Sequence, residues 1–136
     1  YQYDRILAFF ESAVEQGAKL ASDRLFIRDF QDIPKEIAEI ANDLFRRPEI
    51  PRAIFILGAE TIIPFVTAAR AHGLTPGKDF KLLCFDIIEP LRGYPGICMM
   101  RQRFEKIYQE IRRWLSAGGT AFQSEVKTEL ILPPEE

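Results

Sequence analysis

The sequence predicts an α/β fold, a three-layer sandwich around a mainly parallel sheet, and three observations carry that prediction. Two short, largely apolar runs, Ala53-Ile54-Phe55-Ile56-Leu57 and Phe80-Lys81-Leu82-Leu83-Cys84-Phe85, flank a helix-like stretch from Thr61 to His72. Continuous apolar strands joined through a helix are the pattern of parallel strands covered on both faces. Strand-like and helix-like stretches then alternate along the rest of the chain. In an open sheet of this kind ligands sit beyond the carboxyl ends of the strands, which directs attention to Gly58 to Thr61 and to Asp86 to Pro90.

In chain order, residues 4–16 set Ile6, Phe9, Phe10, Ala13 and Val14 on one face at helical spacing, and Gly17 supplies a stop. This is an amphipathic helix packed on the sheet. Leu25-Phe26-Ile27 reads as a short strand, with Arg28 to Asp32 as the loop at its carboxyl end. Asp32 and Pro34 signal a helix start, and Ile37, Ile40, Ala41, Leu44 and Phe45 form its apolar stripe. Arg46 and Arg47 stand at the negative end of its dipole, and Pro48 and Pro51 end it. Pro64 fits the next helix if Glu60 or Thr61 caps it, which puts the proline in the first turn and free backbone N–H groups beside Gly58. Gly73 closes this helix, Pro76-Gly77-Lys78-Asp79 turns, and Gly93, Pro95 and Gly96 mark a long loop before a short strand, Ile97-Cys98-Met99-Met100. The last helix carries Phe104, Ile107, Tyr108, Ile111, Trp114 and Leu115 on one side, ends at Gly118-Gly119, and leads to a strand-like stretch from Val126 to Leu132.

A chain of 136 residues, 47% hydrophobic and 28% charged, has the size and composition of one soluble domain. A net charge of -2 offers no basic surplus for the phosphate backbone of nucleic acid. No apolar run approaches the roughly 18 residues of a membrane span. The chain opens on Tyr-Gln-Tyr-Asp rather than Met, which reads as a piece of a longer polypeptide. Cys84 and Cys98 lie in or beside apolar runs without metal-ligand spacing and read as free thiols in a reducing compartment.

Catalytic chemistry finds little support. The only histidine, His72, stands at a helix end where a cation is favoured anyway, and Leu57-Gly58-Ala59-Glu60-Thr61 has one glycine and no lysine, so it is no phosphate loop. Only Asp29 and Asp86 lie at strand ends, too few for an acidic phosphoacceptor cluster. No catalytic residue, metal ligand or cofactor is expected. The polar and aromatic groups at the strand ends suit a small polyhydroxylated ligand, with a carboxylate accepting from hydroxyls, an arginine donating, and a ring stacking on a sugar face. On residue chemistry alone Asp86 is equally a turn cap, Arg5 is by default a solvated helix residue, and Phe30 a core aromatic.

Several segments together resemble one family. Ala53-Ile54-Phe55 through Phe85-Asp86 follows, without gaps, the pattern A-I-F-C-A-N-D, a helix ending R-x-x-G-L, then V-V-G-F-D-D. Arg5-Ile6-Leu7-Ala8-Phe9 is similar to R-L-x-G-F, Asp29-Phe30 to G-D-F, Met100-Arg101-Gln102 to T-V-R-Q, and Leu132-Pro133-Pro134-Glu135 to L-P-P-E. The chain thus resembles the effector-binding part of the lac repressor and galactose repressor family of bacterial transcription regulators, whose sensor has the type I periplasmic-binding-protein fold.

The resemblance implies the carboxyl-terminal half of a cytoplasmic regulator. Residues 1–96 would be the carboxyl-terminal sensor subdomain, and 97–136 a segment returning to an amino-terminal subdomain outside this chain. The strand at 97–100 and the stripe on the helix over 102–117 would then lack their partners. The effector, a sugar or related metabolite, would sit between the subdomains against Arg5, Phe30, Gly58, Asp86 and Gln102. DNA would be met only through a headpiece outside this chain, and the intact protein would be a homodimer. Gly58 and Ala59 replace the family's ligand-contacting Asn and following Asp, and Ile87 replaces the second Asp of F-D-D, so the ligand is expected to differ from the family's most typical sugar. Ala8 and Cys84 replace customary glycines, and the type of headpiece is open. The alternative is a periplasmic sugar-binding protein of a transport system, which would share the fold.

Overall fold

The computed structural model describes residues 2–20, 25–120 and 123–133. Its elements are α1 (Gln2–Glu15), α2 (Ile33–Phe45), β1 (Ala53–Ile56), α3 (Ala59–Ala71), β2 (Lys81–Phe85), β3 (Ile97–Arg101), α4 (Phe104–Ser116) and β4 (Glu129–Ile131), with a single 3₁₀ turn at Glu89–Leu91. The sheet order is β1-β2-β3-β4. β1, β2 and β3 run parallel, with Ile54 opposite Leu82 and Leu82 opposite Ile97, and β4 closes the far edge antiparallel to β3. The sheet is therefore mainly parallel, as the apolar runs require.

Strand side chains alternate between faces. Leu82 and Cys84 of β2 and Ile97 and Met99 of β3 point to one face, and onto it pack the stripe of α2 (Ile37, Ile40, Ala41, Leu44, Phe45) and that of α3 (Ile62, Phe65, Val66, Ala69), all buried. Phe45, Phe65 and Phe80 meet in tilted and edge-on pairs with ring centroids 5.6–6.2 Å apart. Burial pushes the Cys84 thiol up to about 12, with Cys98 adding to the effect, so the thiol stays protonated and inert. The other face is covered more lightly by α1. Its Phe9 ring lies 4.9 Å from that of Phe55, while Ile6, Phe10 and Ala13 are half-buried and Val14 is exposed.

Local signals explain where α2 begins. Asp32 Oδ1 accepts from the Lys35 N–H at 3.2 Å, and Glu36 Oε1 accepts from the backbone N–H groups of Gln31 and Asp32 at 2.7 and 2.8 Å. These two backbone bonds, that from Asp32 first, hold the Glu36 carboxyl below its usual range. His72 ends α3, and its Nε2 meets Asn42 Oδ1, tying α3 to α2.

Four expectations are corrected. Leu25-Phe26-Ile27 forms no strand: Leu25 and Ile27 are 44% and 56% exposed and only Phe26 packs on the core, so β1 is the edge of the sheet. Three residues that bury one side chain gain too little to order a further strand. The N-cap of α3 is Gly58, not Glu60 or Thr61, so Pro64 lies inside the helix. Thr61 is drawn into the first turn because its hydroxyl and its N–H both donate to the Gly58 carbonyl, at 2.7 and 3.0 Å. Pro64 removes the bond to the carbonyl of Glu60, and Glu60 is exposed, where solvent can serve that carbonyl instead. The strand beginning at Ile97 does not lack partners: it lies between β2 and β4, with Ile97 and Met99 buried. The stretch from Val126 to Leu132 pairs only over Glu129–Ile131. Of the final motif, Pro134 and Glu135 lie outside the described residues.

The turn at 76–79 and the loop before β3 cross at two glycines. A Cβ on Gly96 would fall 2.0 Å from the Gly77 Cα, and both residues have φ in the left-handed region, +73° and +90°. Gly118, at φ +88°, has open space around it. Gly118→Ala should therefore cost about 1–2 kcal/mol, the left-handed backbone penalty alone. Gly96→Ala should cost about 1–3 kcal/mol more, because the backbones must also separate. Urea denaturation of the two variants checks this, and equal losses would contradict the crossing.

Candidate ligand-binding site

Because β1, β2 and β3 are parallel, their carboxyl ends share one edge of the sheet. Gly58 lies just beyond β1, Asp86 directly follows β2 and Gln102 directly follows β3. Asp86 carries the ladder one step further, its N–H donating to the Met100 carbonyl at 2.9 Å, and then turns out of the sheet with φ +81°. It is the only residue other than glycine with positive φ among the described residues. A side chain with a Cβ resists this conformation, and Asp and Asn resist it least. The Gln102 amide donates to Asp86 Oδ1 at 2.9 Å, in a half-buried position.

α1 delivers Arg5 to the same place. Its guanidinium carbon lies 3.8 Å from the centroid of the Phe85 ring, a stacked cation–π contact. A cavity of about 270 Å³ opens here, lined by Arg5, Phe85, Met100, Gln102, Arg103, Ile107, Val126 and Thr128. It combines an apolar floor with a few convergent donors, a composition suited to a small ligand with both a hydrophobic face and hydrogen-bonding groups. At its border Arg103 pairs with Glu105 at 3.3 Å, and Arg101 reaches Glu105 at 3.3 Å and Glu129 at 3.5 Å. The Glu105 carboxyl is held below its usual range, first by its own backbone N–H at the start of α4 and then by the Arg103 and Arg101 side chains. Among the described residues no group of three or more His, Cys, Asp or Glu side chains is placed to hold a metal, and no helix is long and apolar enough to cross a membrane.

Of the five residues singled out from the sequence, the structure brings together Arg5, Asp86 and Gln102. Phe30 and Gly58 do not line this cavity. Phe30 is half-buried against the core, and Gly58 caps α3 with the Glu60 carboxylate folded back so that a Cβ at Gly58 would meet it at 3.0 Å. Phe85, Arg103 and Thr128 line the cavity and were not anticipated. Phe85 was hidden in an apolar run, although period-two alternation from buried Cys84 puts it on the opposite face, that of α1. Asp86 engages one oxygen with Gln102 and stands at the sheet's carboxyl edge, next in sequence to Phe85 of the cavity lining.

Asp86→Asn should leave stability within about 0.5 kcal/mol, since Asn tolerates the left-handed region and keeps an oxygen for Gln102. Asp86→Ala should lose about 1–3 kcal/mol, from backbone strain and an unpaired amide. Thermal melts of both variants test this, and indistinguishable melts would count against the assigned geometry.

No protein-family model matches the chain, and no curated protein does. Solved structures do. A regulatory protein of the LacI family from Chloroflexus aggregans superposes with a TM-score of 0.78 at 20% identity, covering 96% of this chain and 49% of that one. A transcriptional regulator CelR–cellobiose complex gives 0.71 at 18%, covering 96% and 41%. A more distant likeness is to GanP, a glucose-galactose binding protein from Geobacillus stearothermophilus, with 0.55 at 15%, covering 72% and 37%. The chain spans half or less of the length of these proteins. The fold expected from the resemblance, the periplasmic-binding-protein-like α/β fold of lac repressor-type sensors, is the fold this chain has.

Proposed function

We propose that this chain is the carboxyl-terminal half of the effector-sensing domain of a bacterial transcription regulator. Its effector would be a sugar or related polyhydroxylated metabolite, bound between this half and a subdomain outside the chain. The observation that carries this reading is the convergence of Arg5, Phe85 and Gln102 on one cavity at the carboxyl edge of the sheet, with Asp86 beside it. A ring-stacked guanidinium supplies fixed donors, a carboxylate accepts from hydroxyls, and the apolar floor takes the hydrophobic face of a sugar ring. That a solved structure of the same fold is a cellobiose complex supports the ligand class.

In this reading the chain leaves the sheet after β3, leads through α4 toward the other subdomain, and returns to the sheet as β4. The exposed apolar side chains of α4 support it, Phe104, Tyr108 and Leu115 being 53%, 60% and 61% exposed. Effector occupancy would set the angle between subdomains and so the spacing of two DNA headpieces in a cytoplasmic homodimer. The second reading, a periplasmic sugar-binding protein serving a transporter, is favoured by the likeness to GanP, whose TM-score is lower. The residues encoded before Tyr1 separate the two: a helix-turn-helix supports the regulator, a signal peptide the transport protein.

The reading is tested by calorimetric titration of the full-length protein with neutral mono- and disaccharides, cellobiose among them. Binding should weaken about ten- to a hundred-fold in Asp86→Ala, the loss expected of a hydrogen bond to a charged acceptor. Asp86→Asn, which keeps the fold, should also weaken it. Affinity unchanged in both would sink the sensor-site assignment. The chain by itself should show no sequence-specific retention of DNA at physiological salt, because its net charge is -2. A gel-shift experiment that found specific retention would contradict the division of labour proposed here.

A further inference from the structure

Two features of Asp86 bear on how it is held among the described residues: its left-handed backbone, and the bond that engages Oδ1. The N–H is committed to the Met100 carbonyl at 2.9 Å, so the strand ladder anchors the residue up to its nitrogen and the turn out of the sheet begins at its Cα. Beyond that point the side-chain bond to Asp86, 2.9 Å from Gln102 Nε2 to Oδ1, is the contact between the described residues that fixes which way the carboxylate faces. Gln102 is itself held in a tight turn, its carbonyl accepting from the Phe104 N–H at 3.1 Å directly before α4 begins. A neutral amide can donate to the carboxylate without cancelling its charge, which a lysine or arginine there would do. It leaves Oδ2 available to a hydroxyl.

Resting on the proposed sensor function, we infer that Gln102 is a positioning residue. It holds Asp86 in its left-handed, ligand-presenting conformation, and it joins the strand end to the link before α4, so that what Asp86 binds is felt at residues 102–103. Gln102 also lines the cavity, and this positioning part of its work is done through Asp86. Glutamate at this position would set two carboxylates against each other, and methionine would fill the space without a donor.

NMR of the full chain without ligand tests the inference. A left-handed residue brings its own N–H and Hα close together, so Asp86 should show a strong intraresidue cross-peak, and the Gln102 side-chain amide resonances should shift in Asp86→Ala. In Gln102→Met the Asp86 cross-peak should weaken toward that of an ordinary strand residue, and more so in Gln102→Glu, while the resonances of α2 and α3 stay in place. With a sugar that binds the wild type, Gln102→Met should lose about ten-fold in affinity. An Asp86 cross-peak that keeps its strength in both Gln102 variants overturns the inference, as do Gln102 amide resonances indifferent to Asp86→Ala. The spectroscopic arm needs no ligand. If it succeeds and no sugar binds, the positioning contact stands and the sensor reading falls; if sugars bind and it fails, the reverse holds.

Discussion

Three strands that run in one direction constrain everything else in this protein. Parallel pairing of β1, β2 and β3 requires long return connections, and the chain supplies them as α3 and as the loop with its 3₁₀ turn. Such a sheet is stable when both faces are covered, so one face takes the joint stripe of α2 and α3 and the other takes α1. The same constraint puts three strand ends on one edge. Asp86 and Gln102 meet because β2 and β3 end together, with Phe85 opposite Met100.

The edge differs from the core in what it holds. The core is aliphatic and aromatic, its buried thiol kept protonated by desolvation and the buried Thr61 satisfied by the Gly58 carbonyl. At the edge stand a stacked arginine, an amide, a carboxylate on strained backbone and a bordering network of arginines and glutamates. Strain of this kind persists only where surrounding contacts fix it and is found disproportionately at functional positions. The sensor reading gives it a purpose: a carboxylate held in place before a ligand arrives loses less freedom when it binds.

Much of the fold was legible because its signals are local. Asp32, Pro34 and the five-residue stripe of α2 placed that helix, and the two apolar runs placed β1 and β2 close to their observed bounds. Failures arose where a longer-range term decides. Leu25-Phe26-Ile27 has strand composition, but a strand needs a partner and enough burial, and neither is visible in three residues. The place of β3 depends on pairing with β2 fifteen residues earlier in register, which no local pattern records. In the site, Asp86 came from a strand end and from the family resemblance, Arg5 and Gln102 from the resemblance alone. Phe85 and Arg103 were overlooked because their part in the cavity depends on where α1 and α4 lie.

The central claim is that a small ligand binds at the carboxyl edge of the parallel strands. Mapping backbone and side-chain chemical-shift changes on titrating the full-length protein with a bound sugar tests it most directly. The account predicts that the largest changes within this chain fall on Arg5, Phe85, Asp86, Gln102 and Arg103, with the α2–α3 face silent. Changes centred on α2 and α3, or at the opposite end of the strands, would contradict it.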